Sequence, residues 1–321
     1  MNDQLDNGQF RPEYFEHVHC NLCGAPDSES TIVYPALTTA VPKNEEGLRS
    51  MYSSSSHAVI FEQVVRCNRC GLIYISPRPK TELVVGGYSE AEDEQYISQT
   101  AGRELTFTNG VKIIQRYCQS GKLLDIGAAS GIFVNVAVKA GFDACGIEPA
   151  AWMCEQARKN YGVTMYNGIL QQVQFLENSF DVITMWDVLE HVTDPMGVLK
   201  EIKRILKPGG ILLINYPRID DPVAKLFGRK WWFLLSIHLY YFTPLTLRGY
   251  AQRLGFEQVL HKMHIQRLSY GYLVERLKVY SKLLATLAKL LYIIPGWKNF
   301  QVPYFASQYL LILKKTGTAK E

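Results

Sequence analysis

From residue 122 onward, short apolar runs bounded by turn residues alternate with segments whose apolar positions recur every three or four residues. The runs KLLDIG (122–127), DACGIEP (143–149), VTMYN (163–167), FDVITMW (180–186) and ILLINYP (211–217) predict five strands. SGIFVNVAVKAG (130–141) and AAWMCEQARKNYG (150–162) predict helices that stop at Gly141 and Gly162, where glycine accepts a left-handed backbone. DPMGVLKEIKRILKPGG (194–210) predicts a helix capped by Asp194 with Pro195 at its first position. TPLTLRGYAQRLGF (243–256) predicts another, capped by Thr243. FEQVLHKMH (256–264) and SQYLLILKK (307–315) predict two final strands, with one long basic amphipathic helix between them over 273–294. Strands alternating with helices in this way predict an open α/β fold, a Rossmann-like, seven-stranded, doubly wound sheet.

The first 80 residues follow another pattern. They hold four of the seven cysteines as two C-x-x-C pairs, Cys20/Cys23 and Cys67/Cys70, each followed by a glycine, Gly24 or Gly71. A polar stretch (38–50) and serines at 53–56 separate the pairs and predict a loop. HAVIFEQVVRC (57–67) predicts a strand entering the second pair. Two such knuckles bring four thiolates to one ion in a closed tetrahedral site, so a structural Zn²⁺ is expected on Cys20, Cys23, Cys67 and Cys70. His17 and His19 stand nearby as bystanders. The organisation expected is a zinc ribbon over 1–80, a helical connector over 81–120, the sheet domain over 121–265, and the amphipathic helix with the last strand over 266–321.

Composition narrows the function. The chain has 321 residues, 47% of them hydrophobic, and 34 basic against 30 acidic side chains. A net charge of +4 argues against a nucleic-acid partner, whose domains are usually strongly basic. The polar N-terminus lacks a basic and apolar leader pattern, and the uncharged run 231–247 carries a histidine and a proline, so a cytoplasmic protein is expected.

The loop LDIGAASG (124–131) joins the first strand of the sheet to its helix. Its glycine spacing differs from the nicotinamide fingerprint, and Asp125 at the strand end would repel a pyrophosphate but suits an ammonium group. Glu148 ends the second strand, where an acid accepts hydrogen bonds from ribose hydroxyls. An ammonium-binding loop with a ribose-binding acid describes S-adenosylmethionine (SAM). LDIGAASG, GIEP, FDVITMWDVLEHVTDP and LKEIKRILKPGGILLINYP resemble the successive motifs of class I SAM-dependent methyltransferases, over roughly residues 105–265. The resemblance implies that Asp125, Gly127, Ala129 and Gly131 cradle the methionine end, that Glu148 holds the ribose, and that Ile169, Leu170, Trp186 and Asp187 flank the adenine. Ala129 stands where the family usually has glycine.

A zinc ribbon before such a domain also resembles the sugar C-methyltransferases and methyltransferases that accompany polysaccharide biosynthesis. In the former a histidine stands in each of two motifs, here His191 in DVLEHV and His238 in IHLYYF, although Ile237 replaces the glutamate usual before the second. Methyl transfer to a hydroxyl or an acidic carbon needs a proton acceptor, and histidine suits that task. His238 is therefore the expected base, His191 a contact to substrate or cofactor, and Tyr88, Tyr240 and Tyr241 substrate contacts. The implied acceptor is a nucleotide-linked or lipid-linked sugar. The alternatives are a small hydroxylated aromatic such as a quinone precursor, and RNA bound through the ribbon, against which stands the absence of an Asn/Asp-Pro-Pro-aromatic motif after the fourth strand. The helix over 273–294, with Leu277, Leu284, Leu287 and Leu291 on one side and Lys278, Lys282 and Lys289 on another, is expected to cap the sheet. The alternative is peripheral contact with an anionic membrane, with Trp297 at its edge.

Overall fold

The protein is described by a computed structural model over residues 11–37, 44–53, 59–89, 94–278 and 281–316. Residues 38–43 of the polar stretch, with residues 54–56 and His57, lie outside the described residues, and the rest of the stretch is not the expected loop: Asn44 caps a helix, Glu45–Met51, by accepting the Gly47 N–H at 3.1 Å. Seven strands form the main sheet: β1 (Gly121–Ile126), β2 (Phe142–Glu148), β3 (Thr164–Asn167), β4 (Phe180–Trp186), β5 (Leu206–Pro217), β6 (Phe256–Ser269) and β7 (Gln301–Lys315). Their spatial order is β6-β7-β5-β4-β1-β2-β3. β3, β2, β1, β4 and β5 run parallel, whereas β7 is antiparallel to both β5 and β6. The order reverses between β1 and β4, which opens a crevice at the carboxyl ends of these strands. Leu123, Leu124, Val182, Ile183, Leu212 and Leu213 are fully buried because the central strands are covered on both faces.

The helix starts and stops follow the sequence closely. The Asp194 carboxylate accepts the Gly197 N–H at 3.0 Å, with Pro195 next in line. Thr243 caps Pro244–Leu254 by accepting the Thr246 N–H at 3.2 Å. Gly162 and Gly255 terminate their helices in the left-handed region. One boundary differs: the helix expected over 194–210 ends at Ile205, because Pro208 disfavours helical backbone before it and Gly209 turns left-handed.

The C-terminal part departs further. The single helix over 273–294 is replaced by helices Tyr270–Leu277 and Lys282–Ala288 and a 3₁₀ segment, Lys289–Ile293. Ser281 starts the second helix afresh by accepting the Leu284 N–H at 3.2 Å. Leu283, Leu284, Leu287, Leu290 and Leu291 are exposed, so this apolar side does not cap the sheet. Among the described residues, no helix is long and apolar enough to cross a membrane. β6 and β7 also extend past their expected limits, pairing outward to Ser269 and Gln301, since each strand satisfies the other's backbone groups.

The cysteine module contains a four-stranded sheet ordered Tyr240–Tyr241, Ile73–Ile75, Val64–Cys67, Ser30–Tyr34. The strand expected over 57–67 covers only its last four residues, and Val59 makes a single bridge to Leu235. Tyr240–Tyr241 comes from the segment after β5, so the module and the main domain share a sheet. They share a core as well: Leu22, Val65, Leu72 and Ile73 pack in one cluster with Leu124, Ile183, Leu199 and Leu247. On the other face of the main sheet, Phe107, Val111 and Ile114 of helix Thr100–Ile114 pack against Ile132, Phe133 and Leu213.

Candidate active site and cysteine centre

A cavity of about 630 Å³ opens at the crevice between β1 and β4. Gly127, Ala129, Glu148, Ile169, Leu170, Trp186, Asp187, His191, His238 and Tyr88 all line it. Thus residues from four strand ends, the connector and the segment after β5 meet in one space.

The loop after β1 needs left-handed backbone three times, at Gly127 (φ 70°), Ala129 (φ 44°) and Gly131 (φ 72°). Glycine meets that demand without strain, and alanine does not. The conformation of Ala129 is held by Glu148, whose carboxylate accepts the Ala129 N–H at 2.9 Å and the Ala150 N–H at 3.0 Å. Burial pushes this carboxyl above its ordinary range despite the two donors. Gly131 is fixed by packing: a Cβ there would lie 2.7 Å from that of Ala157.

Four of the expected contact residues stand outside the cavity. Asp125 is buried behind the loop and accepts the Thr184 hydroxyl at 2.6 Å, and burial together with nearby Glu148 pushes it up to about 8. Gly131 lies one turn further on, against the next helix. The Tyr240 hydroxyl receives Arg78 at 2.9 Å and donates to the Thr193 carbonyl at 3.1 Å. That of Tyr241 donates to the Leu235 carbonyl at 3.0 Å. Both tyrosines are buried because strand pairing with Ile73–Ile75 turns them into the module interface, so they are structural rather than substrate contacts.

At the end of β4, Asp187 adopts φ 54° and accepts Asn215 at 2.7 Å, with Gln308 as a second donor. Burial lifts it to about 7. Trp186 packs edge-on against Phe107, with centroids 5.2 Å apart, and presents one side to the cavity. The His191 and His238 rings meet in a T-shaped contact with centroids 4.6 Å apart, and Tyr88 lies 5.6 Å from His191. Nδ1 of His191 is 3.0 Å from the Ile237 carbonyl, and Nδ1 of His238 is 2.7 Å from that of Phe233. A carbonyl only accepts, so each Nδ1 carries the proton and each Nε2 keeps its lone pair. Burial lowers His191 to about 4 and His238 well below its usual value, so both rings are neutral.

Several residues at or beside the site were not singled out in the sequence, although Glu190 lies within the DVLEHV motif. Glu190 is buried between the two histidines' segments. His264, brought in by β6, lines the cavity and packs 5.6 Å from Trp186. Arg103, Arg267 and Arg276 line it too, as do Val84, Val85, Val192, Trp232 and Phe233. The only forewarning was position: Arg103 lies in the connector helix and Arg267 just past an expected strand end.

The four cysteines converge. Sγ of Cys20 and Cys70 are 3.4 Å apart, and those of Cys23 and Cys67 are 3.5 Å apart. All four lie within 4.8 Å of one another. Tetrahedral zinc with bonds of about 2.3 Å has sulfur–sulfur edges near 3.8 Å, so the donor set fits that ion. His17 is exposed and bound to Asp27 at 2.7 Å, outside the cluster. The first knuckle also docks on the main domain, where Asn21 donates to Asp194 at 2.8 Å and accepts the Met196 N–H at 2.9 Å.

A family model described as a methyltransferase domain matches residues 103–261. The ubiquinone biosynthesis O-methyltransferase of Actinobacillus pleuropneumoniae is 34% identical over 104 residues, 29% of this chain and 44% of that protein. The protein of the same name from Colwellia psychrerythraea is 31% identical over 152 residues, 42% of this chain and 61% of that protein. The chain therefore spans about half the length of the curated relatives it matches. A solved SAM-dependent methyltransferase from Archaeoglobus fulgidus is 15% identical, with a TM-score of 0.48 covering 70% of this chain and 100% of that one. The family match, the curated relatives and the strand order thus agree on a methyltransferase domain over residues 103–261.

Proposed function

We propose that this chain methylates a hydroxyl oxygen of a small acceptor, using SAM, and that the cysteine centre holds a structural zinc. One observation carries the reading: a single cavity joins Glu148 and the Gly127–Ala129 turn to the Nε2 lone pairs of His191 and His238. Glu148 retains lone pairs beyond the two backbone donors and suits ribose hydroxyls. Gly127 and Ala129 would hold the methionine end, and Ile169, Leu170, Trp186 and Asp187 the adenine. When bound, SAM supplies an electrophilic methyl group. The chain's own task is to hold the acceptor oxygen in line, which supplies about 7–11 kcal/mol of the barrier, and to weaken its O–H bond. The two neutral imidazoles are the groups placed for that.

Val84, Val85, Val192, Trp232 and Phe233 give the acceptor end an apolar wall, which favours a hydroxylated aromatic, in keeping with the names of the matched relatives. Arg267 and Arg276 support a second reading, a nucleotide-linked or lipid-linked sugar whose phosphates they would pair. The exposed leucines of 283–291 beside Lys282 and Lys298 support peripheral contact of this face with an anionic membrane.

The test is to incubate purified protein with methyl-labelled SAM and fractionated host extract. Label in hydroxylated aromatics supports the first reading and label in nucleotide sugars or glycolipids the second. Label confined to RNA or protein would overturn both.

A further inference from the structure

Beside the cavity, three side chains that can ligate a metal converge, one of them without a partner. Glu190 is 1% exposed, and neither of its carboxylate oxygens has a hydrogen bond. Leaving a buried carboxylate unpaired is costly, and native structures ordinarily avoid it. A ligand atom of Glu190, one of His191 and one of His238 all lie within 4.8 Å of one another.

The two histidines are set for ligation. Each Nδ1–H is spent on a backbone carbonyl, Ile237 at 3.0 Å and Phe233 at 2.7 Å. This fixes the tautomer and the ring plane and leaves Nε2 as the donor, the arrangement that supports metal-bound histidine. Two chain segments are braced for it. Glu190 and His191 are consecutive after β4, and the Glu190 carbonyl receives the Tyr240 N–H at 3.1 Å, tying that turn to the segment that bears His238.

We propose that Glu190, His191 and His238 bind a zinc-class divalent cation, distinct from the cysteine centre. Two imidazoles and one carboxylate form a donor set that takes such ions with bonds of about 2.0–2.2 Å and leaves coordination positions open. The cation supplies the counter-charge that Glu190 lacks. Both histidines line the cavity, so the open positions face the acceptor. The proposal rests on the methyltransferase reading for its role and deepens it. The acceptor hydroxyl binds the cation, its O–H bond breaks with the electron pair kept on oxygen, and the proton leaves to water. His191 and His238 then act on the O–H bond through the cation that they hold.

Cobalt(II) titration of the full-length protein tests this. The cysteine centre gives intense thiolate-to-cobalt absorption. The proposed site gives only weak visible bands. We expect two equivalents in the wild type, the second without thiolate absorption. Glu190→Gln and His238→Gln should each lose that second equivalent while keeping the first, whose thiolate band also reports that the module is folded. A wild type that takes up one equivalent overturns the proposal, as does a second equivalent that survives both substitutions. SAM titration by calorimetry in the same samples separates the two readings: protein that binds cobalt twice but never SAM loses the methyltransferase reading and keeps the cation site.

Discussion

The two ends of the cavity are built in different ways. The proposed cofactor end comes from successive β–α units, β1 to β4, and centres on two turns, Gly127–Ala129, braced by the Glu148 carboxylate, and the turn after β3. The acceptor end is side chain throughout. It draws Tyr88 from the connector, His191 from the turn after β4, His238 from the segment that completes the module's sheet, and His264 and Arg267 from the extended β6. The first can be made by any chain that folds into this sheet. The second depends on the cysteine module and the C-terminal ribbon being in place. The two ends should therefore fail separately.

Breaking the module should give the largest effect. Cys67→Ser removes a thiolate from the four-sulfur cluster and loosens the sheet that positions Tyr240, Tyr241 and, through them, His238. Loss of one metal equivalent by elemental analysis and loss of turnover are expected, with SAM still bound by calorimetry. Full metal content would remove the cluster from the account.

His238→Ala should lower turnover by roughly 10²–10⁴-fold and leave SAM affinity unchanged, as measured by label transfer and calorimetry. Wild-type turnover in this variant would break the division between the two ends.

Glu62 probes what holds the acceptor end. Its buried carboxyl accepts the Ser236 hydroxyl at 2.8 Å and also the Tyr52 hydroxyl, so it pins the segment leading to His238. Burial raises it from 4.5 to about 7. The folded state thus binds a proton that the unfolded state has released between these values. Stability is greatest below 4.5 and declines as pH rises through 7, by about 3 kcal/mol. Denaturation at pH 5 and pH 7.5 should show this slope, and Glu62→Gln should flatten it.

The smallest effect is expected at the cofactor end. Glu148→Ala leaves the Ala129 and Ala150 N–H groups without their acceptor and should weaken SAM binding roughly 10–100-fold, with the fold retained. Unchanged affinity in a calorimetric titration would refute the ribose assignment.

Legibility in the sequence followed the same division. The β1 loop, Glu148 and the strand ends were visible because each is a local pattern, a turn that needs glycine or an acid at a strand terminus. The C-x-x-C pairs were equally visible, since two residues of spacing set a knuckle. Tyr240 and Tyr241 were misplaced because the expectation came from the aromatic motif after His238, and such a motif does not say that the pair joins the module's sheet. Their pairing with Ile73–Ile75 buries both. The helix over 273–294 misled because its periodicity is continuous while Ser281 caps a new start.

By itself the sequence determined the alternation of strand and helix, the caps, the glycine loop after β1 and the two pairs of thiolates, because all of these depend on neighbours a few residues apart. The tertiary structure alone decided that Glu190, His191 and His238 share one buried space, that Asp125 faces Thr184 rather than the cavity, and that His264 and Arg267 reach the site. Those contacts join residues dozens of positions apart, and packing of the module and of the β6–β7 ribbon against the sheet selects them, which no local spacing encodes.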